Sequence, residues 1–300
     1  MADVASGLVC LDKPAGVSSF AALTSVKREC ETRKVGHTGT LDPFASGLLI
    51  ALVGKATRAA QFLSGLGKSY RATITFGSET ATDDLTGETV ATAGLPDPAA
   101  ITNALPDFLG MIEQIPPAYS AVHVNGSRAY KLARRGEAIE LKPRSVMIHE
   151  FKLENWSPPE MTAVIRCSTG TYIRALARDL GRSVCSAAHL SSLSRTTIGP
   201  FSISEAISPE AFRRSSVSDI GAALLRIPNT LEIAISESEV QRVSHGADLA
   251  DLGVLRDVST AALQDAPVVI IRCAERTVAL ATWDGTRLGY SVVLSSGGDA

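Results

Sequence analysis

Strand-like segments follow one another along this chain with few helices between them. That order constrains the fold more than any other feature. "KSYRATITFG" (68–77) alternates over Tyr70, Ala72, Ile74 and Phe76, the period of a half-buried strand. "GLVCLDKPAG" reads as a short apolar strand entering a turn, and "GLLIALVG" as a buried strand ended by Gly54. "SVMIHEFKLENW" and "MTAVIRCSTG" read as two strands flanking a "SPPE" turn. Regular βαβ winding needs a helix between successive strands, so the expectation is an α+β fold with a mixed, largely antiparallel sheet. Helices are expected at "VSSFAALTSVKREC", with Phe20, Leu23 and Val26 at helical spacing, at "KATRAAQFLSG", and at "DPAAITNALPDFLG". Two more are expected at Ala129 to Arg135 and at "TYIRALARDLGRSV", where Ile173, Leu176 and Leu180 share a face.

From about Asn229 the composition shifts towards acidic residues. "PVVIIRCAERTVALATWDGTRLGYSVVLSS" reads as short strands with an Asp284-Gly285 turn, so residues 1–228 are expected as a main domain and 229–300 as a small β-rich one. Net charge is −2 overall, but residues 231–300 carry five arginines against ten acids, leaving +3 for the rest. Residues 124–144 hold six basic and two acidic side chains, a local +4. Phosphate binding responds to such patches rather than to net charge. On charge alone, a solvated helix face is the simpler reading.

Several classes are set aside. No basic region followed by an apolar stretch opens the chain, and its longest apolar run is too short for a bilayer. Five scattered cysteines without a CxxC pair suit a reducing cytoplasm. Five histidines show no HExxH spacing, so no metal site is expected. No Walker loop, GxSxG or GxGxxG stands in a convincing context. Asp83-Asp84, in a polar stretch, reads as a turn rather than an acid/base pair.

"GHTGTLDPFASG" (36–47) is the candidate for chemistry. Asp42 is ionised at neutral pH if unperturbed, Pro43 stiffens it, and Gly36, Gly39 and Gly47 leave room for a ligand. Such a carboxylate can act as nucleophile, base or anchor; a turn aspartate before proline is the plainer alternative. Tyr70 could stack on a base swung out of its helix, and Arg174 could hold a carboxylate ionised in a closed site. Taken singly, Tyr70 reads as sheet and Arg174 as a surface ion pair.

Together, "LDKPAGVSS", "VGHTGTLDPFASGLL", "KSYRATITFGSETATDD", "QIPPAYSAVHVNGSRAYKLARRG", "CSTGTYIRALARDLG" and "LSSLSRTTIGPF" resemble, in order, the TruB-type bacterial tRNA pseudouridine synthases over residues 7–201. The resemblance implies a pseudouridine synthase fold with a central RNA-binding cleft. It implies isomerisation of the T-arm uridine at position 55 of tRNA, without metal or other cofactor. Asp42 matches the catalytic aspartate, Tyr70 the aromatic on the target base, and Arg174 the arginine paired with the aspartate. His37 matches the residue filling the space a flipped base leaves, and Tyr172 and Leu193 would line the base pocket. Residues 116–145 resemble a thumb-like insertion gripping RNA, so Arg128, Lys131 and Arg134, with Lys13 of the first motif, are expected to bind substrate. The insertion marks the protein-only enzymes, so neither guide RNA nor protein partner is expected, and the chain should be monomeric. His123, Ala81 and Ser194 depart from the family's usual lysine, aspartate and basic residue. Residues 229–300 have the general look of the family's PUA-like appendage.

Overall fold

The computed structural model describes residues 6–120, 122–124, 127–133, 135, 140–252 and 258–294. The chain groups into two compact units: Met1–Pro43, Gly47–Leu66 and Gly199–Ala300 form one, and Phe44–Ser46 with Gly67–Ile198 the other.

The first unit opens with β1 (Gly7–Lys13), β2 (Val35–Thr38) and β3 (Ser46–Val53). β1 and β2 both pair antiparallel with β3, which is buried at every position after the first. Such continuous burial is why its sequence reads as an unbroken apolar run. Between β1 and β2 lies α1 (Thr24–Glu29), entered through a 3₁₀ turn at Ala21–Leu23. Leu23 and Val26 pack with Val9, Leu11, Leu49 and Phe212. Phe20 does not join them and is 68% exposed, contrary to the helical spacing expected of it. The tighter 3₁₀ turn ahead of α1 takes Phe20 off the helical stripe, and the Lys27 ammonium stands 3.6 Å over its ring. A second 3₁₀ stretch, Gly54–Ala59, leads into α2 (Ala60–Ser64).

The second unit is built on β4 (Lys68–Phe76), whose burial alternates as its sequence does. After the hairpin of β5 (Ser78–Thr80) and β6 (Thr89–Thr92) comes α3 (Pro98–Ala104), capped by Asp97, which accepts from Ala99 N–H at 2.7 Å. β7 (Gly110–Gln114) precedes the short hairpin β8 (His123–Val124) and β9 (Ser127–Arg128), then α4 (Ala129–Ala133). β10 (Arg144–Ser157), β11 (Glu160–Cys167), α5 (Ile173–Ser183) and β12 (Ala188–Ile198) complete it. The strand order is β12-β4-β11-β10-β7, every neighbour antiparallel. Ile173, Leu176 and Leu180 of α5 are buried, as their shared face requires.

The chain then returns to the first unit with β13 (Phe201–Ser202) and α6 (Ile220–Leu224). A four-stranded sheet follows, from β14 (Leu231–Ala234), β15 (Val269–Cys273), β16 (Arg276–Trp283) and β17 (Leu288–Val293), in that order. β14 runs parallel to β15 and the others antiparallel. α7 (Glu237–Ser244) and α8 (Thr260–Asp265) cover it, burying Val243 and Leu263 against Ile271 and Val278. β14 begins close to the expected boundary at 229, but by contacts the sheet groups in one unit with the N-terminal strands and with everything from Gly199 on. Among the described residues no helix is long and apolar enough to cross a membrane.

Candidate active site

Asp42 stands half-buried on the loop between β2 and β3. Both of its neighbours are fastened. The Ser19 hydroxyl, 2% exposed, donates to Leu41 O and accepts from Leu41 N–H, each at 2.8 Å. On the other side Pro43 O accepts from Gly16 N–H at 2.7 Å. The loop is thus held by "KPAGVSS", the segment entered from β1. Gly39 and Gly47 have φ of +76° and +102°, so the loop enters and leaves through conformations that disfavour side chains.

Lys13 belongs to this clamp. It is fully buried, and its ammonium donates to Val17 O at 2.6 Å, Pro14 O at 2.9 Å and Pro43 O at 3.5 Å. The geometry is that of an internal tie under the loop, where the sequence led us to expect an RNA contact. Three carbonyl acceptors offset the cost of taking an ammonium out of water. His37, half-buried on β2, is paired by register with Ala51.

In the second unit Tyr70 is 7% exposed on β4, opposite Ile165 of β11 and Arg195 of β12. Arg195, 1% exposed, hydrogen-bonds the Tyr70 side chain. Lys68, two residues earlier on the same face, donates to Thr169 Oγ1 at 3.3 Å, and burial pushes its pKa down to about 8, with Arg195 adding to the shift. Leu193, also on β12, is buried opposite Ala72. Sequence reading noted the lysine-tyrosine strand without giving Lys68 a role, and did not single out Arg195. The signal was strand periodicity, which puts Lys68 and Tyr70 on one face.

Arg174 is not a surface residue. It is 5% exposed, and its guanidinium reaches Asp84 at 3.2 Å, Thr82 O at 2.9 Å and Tyr119 O at 3.1 Å. One and two turns on, Arg178 pairs with Asp83 at 2.8 Å and Arg182 with Glu79. Arg178 also donates to Ile115 O at 2.9 Å. Asp83 and Asp84 do form the expected turn: Asp83 has φ +59°, and Asp84 Oδ1 accepts from Thr86 N–H at 3.0 Å. They also anchor the helix, which the sequence reading missed. The usable signal was Arg174, Arg178 and Arg182 recurring every four residues. Asp83 titrates at about 6, because burial outweighs the adjacent Arg178.

Tyr172 precedes α5. Its backbone N–H donates to Gln114 Oε1 at 2.8 Å, and Gln114 Nε2 donates back to Tyr172 O at 3.0 Å. The Arg144 guanidinium stands 5.8 Å from the Tyr172 ring centre. Within residues 116–145, Arg128 and Lys131 are placed by their backbone in β9 and α4, and their side chains lie outside what is described. Arg134 lies outside the described residues altogether.

The family model of the TruB family pseudouridylate synthase N-terminal domain matches residues 27–173. The tRNA pseudouridine synthase B of Bordetella avium is 44% identical over 225 residues, 74% of this chain and 91% of that protein. That of Thermobifida fusca is 40% identical over 267 residues, 83% and 88% of the two chains. Among solved structures the chain is similar to one in an H/ACA RNP bound to a substrate RNA containing 2'-deoxyuridine. There the TM-score is 0.69 at 22% identity, over 98% of this chain and 87% of that one. A chain of a Cbf5-Nop10-Gar1 complex gives 0.68 at 23%, over 98% and 86%. At such identity the likeness speaks for the fold alone; the class, pseudouridylate synthase, comes from the family model and the relatives. Sequence identity across most of the chain then narrows the class. The chain belongs to the TruB family of pseudouridylate synthases.

Proposed function

We propose that this chain is a tRNA pseudouridine synthase that isomerises the T-arm uridine at position 55. The observation that carries the reading is the fastened loop at Asp42: a carboxylate whose two neighbours are each hydrogen-bonded to one segment, Lys13–Ser19, is held for a purpose. The curated relatives named tRNA pseudouridine synthase B supply the substrate class.

The reaction breaks the bond between C1′ and N1 of uracil, turns the base and joins C1′ to C5. C5 then loses its hydrogen and the ring double bond is restored. Asp42 is the nucleophile, adding to the sugar at C1′ or to the base at C6. Tyr70 packs on the extruded base, and Leu193 and Tyr172 line its pocket. Arg174 keeps the carboxylate ionised, and His37 fills the position the base leaves. Extruding a base from a folded loop costs a few kcal/mol, which stacking and the plug offset. Residues 116–145, through Arg128, Lys131 and Arg134, hold the RNA backbone. The enzyme works as a cytoplasmic monomer without guide RNA, protein partner or cofactor.

The test uses purified protein and an unmodified tRNA transcript tritiated at C5 of uridine. Wild type releases tritium from the T-arm position. Asp42→Asn abolishes release while transcript affinity stays within about threefold. Normal turnover by that variant removes Asp42 from the chemistry, and no release by wild type removes the reading itself.

A further inference from the structure

We propose that Arg195 is a positioning residue for this reaction: from β12 it holds the Tyr70 hydroxyl and favours its ionised form, ready to take the proton that leaves C5 of uracil. The inference rests on the reading above for its substrate, but not for its geometry.

Three side chains meet on one face of two strands. Arg195 stands directly across from Tyr70 in the β4–β12 register and hydrogen-bonds it. Lys68 lies two residues before Tyr70, hence on the same face. All three are buried, Arg195 most completely. Burying two cations on one strand face is costly, and a partner that can carry negative charge offsets that cost most effectively. A phenol is such a group. An interaction that holds a proton on the guanidinium favours its loss from the phenol opposite, because the ion pair requires both.

The surroundings point the same way. The Lys68 ammonium is discouraged first by burial and then by Arg195, so the local potential is positive. Cys167 of β11, paired by register with Lys68, holds its proton up to about 11 through burial. Its thiol therefore adds no negative charge near neutrality. The arginines of α5, which packs on β4 and β12, are engaged in ion pairs with Asp84, Asp83 and Glu79. In the reaction, the C5–H electron pair restores the ring double bond and the proton passes to the Tyr70 oxygen. Water receives it when the product leaves.

Two measurements test this, one independent of substrate. With ring-¹³C tyrosine, the Tyr70 resonance is assigned by Tyr70→Phe and titrated in the free enzyme. Arg195→Gln, which keeps a donor but loses the charge, raises the Tyr70 midpoint by about one pH unit or more, and Arg195→Lys restores most of the shift. Lys68→Gln moves it the same way by less, which keeps the test open should Arg195→Gln fold poorly. An unmoved midpoint in the folded variants overturns the proposal. In single-turnover tritium release, Arg195→Gln lowers the rate about thirtyfold with transcript affinity within about threefold, and Arg195→Lys recovers it. Equal losses in both variants, or a loss confined to affinity, also overturn it. If wild type releases no tritium, the functional reading falls, while the titration still decides the role of Arg195.

Discussion

Buried cations are the feature that repeats at the scale of single residues. Lys13, Lys68, Arg174, Arg178 and Arg195 are all nearly inaccessible. Each has a price that its partners must offset, and the consequences are measurable. Lys68 titrates at about 8 in the fold against 10.5 for a free side chain. A lysine with a depressed pKa costs stability in full below the folded value, and the cost fades as pH rises towards the unfolded one. Lys68→Met should therefore stabilise the protein at pH 7 by up to about 3 kcal/mol, the gain narrowing between pH 8 and 10.5. Denaturant melts at pH 7 and pH 10 check the sign. Arg174→Ala works the other way. It strands Asp84 as a buried charge and should cost about 3–5 kcal/mol of stability, besides lowering turnover more than tRNA affinity. Thermal melts and single-turnover rates at a temperature where the variant is folded separate the two effects.

At the scale of elements, α5 organises the second unit. Its apolar face packs inward, and its arginines fasten the turn at 79–84 and the segment leaving β7. Gln114 closes the arrangement by pairing with the backbone of Tyr172 in both directions, as a strand residue would. Gln114→Leu leaves the Tyr172 N–H without its acceptor, at about 1–3 kcal/mol, while Tyr172 O keeps the Leu176 N–H at 3.2 Å. Hydrogen exchange at the Tyr172 amide should accelerate in that variant while β4 stays protected. Much of this level was legible in sequence. Alternation identified β4, apolar runs identified β3 and β15, and the 3.6-residue period identified α5. The ion-pair network was not, because Asp83 and Asp84 meet Arg178 and Arg174 only after some ninety intervening residues have folded. Local pattern carries no trace of such a meeting. The same holds for Phe20, whose exposure depends on a 3₁₀ turn that spacing alone cannot tell from an α-helix.

At the scale of the whole molecule, the last strands are bound to the first. Asp219 caps α6 by accepting from Ala222 N–H at 2.9 Å, and also accepts from the Thr277 hydroxyl of β16 at 2.6 Å. A Cβ on Gly221 would fall 2.1 Å from that hydroxyl oxygen. Lys55, after β3, donates to Leu294 O at 2.8 Å, beyond β17. Composition marked 229–300 as different but said nothing of this attachment, since its contacts run to residues far earlier in the chain. A chain ending at 228 should expose the apolar underside of α6 and lose solubility or cooperative melting. Asp219→Ala, a milder cut at the same seam, should lower stability by about 1–3 kcal/mol without changing fold by circular dichroism.

The two bonds that Ser19 makes to Leu41 also bear on what a lineage of such proteins could tolerate. Residues 20–35 join the clamp to the loop through the 3₁₀ turn and α1, whose Leu23 and Val26 are themselves core, so change there is confined to the exposed positions. A single lost oxygen at residue 19 would be different. Every strand and helix could keep its outline, binding could persist, and only the rate would record that the carboxylate proposed as nucleophile had drifted.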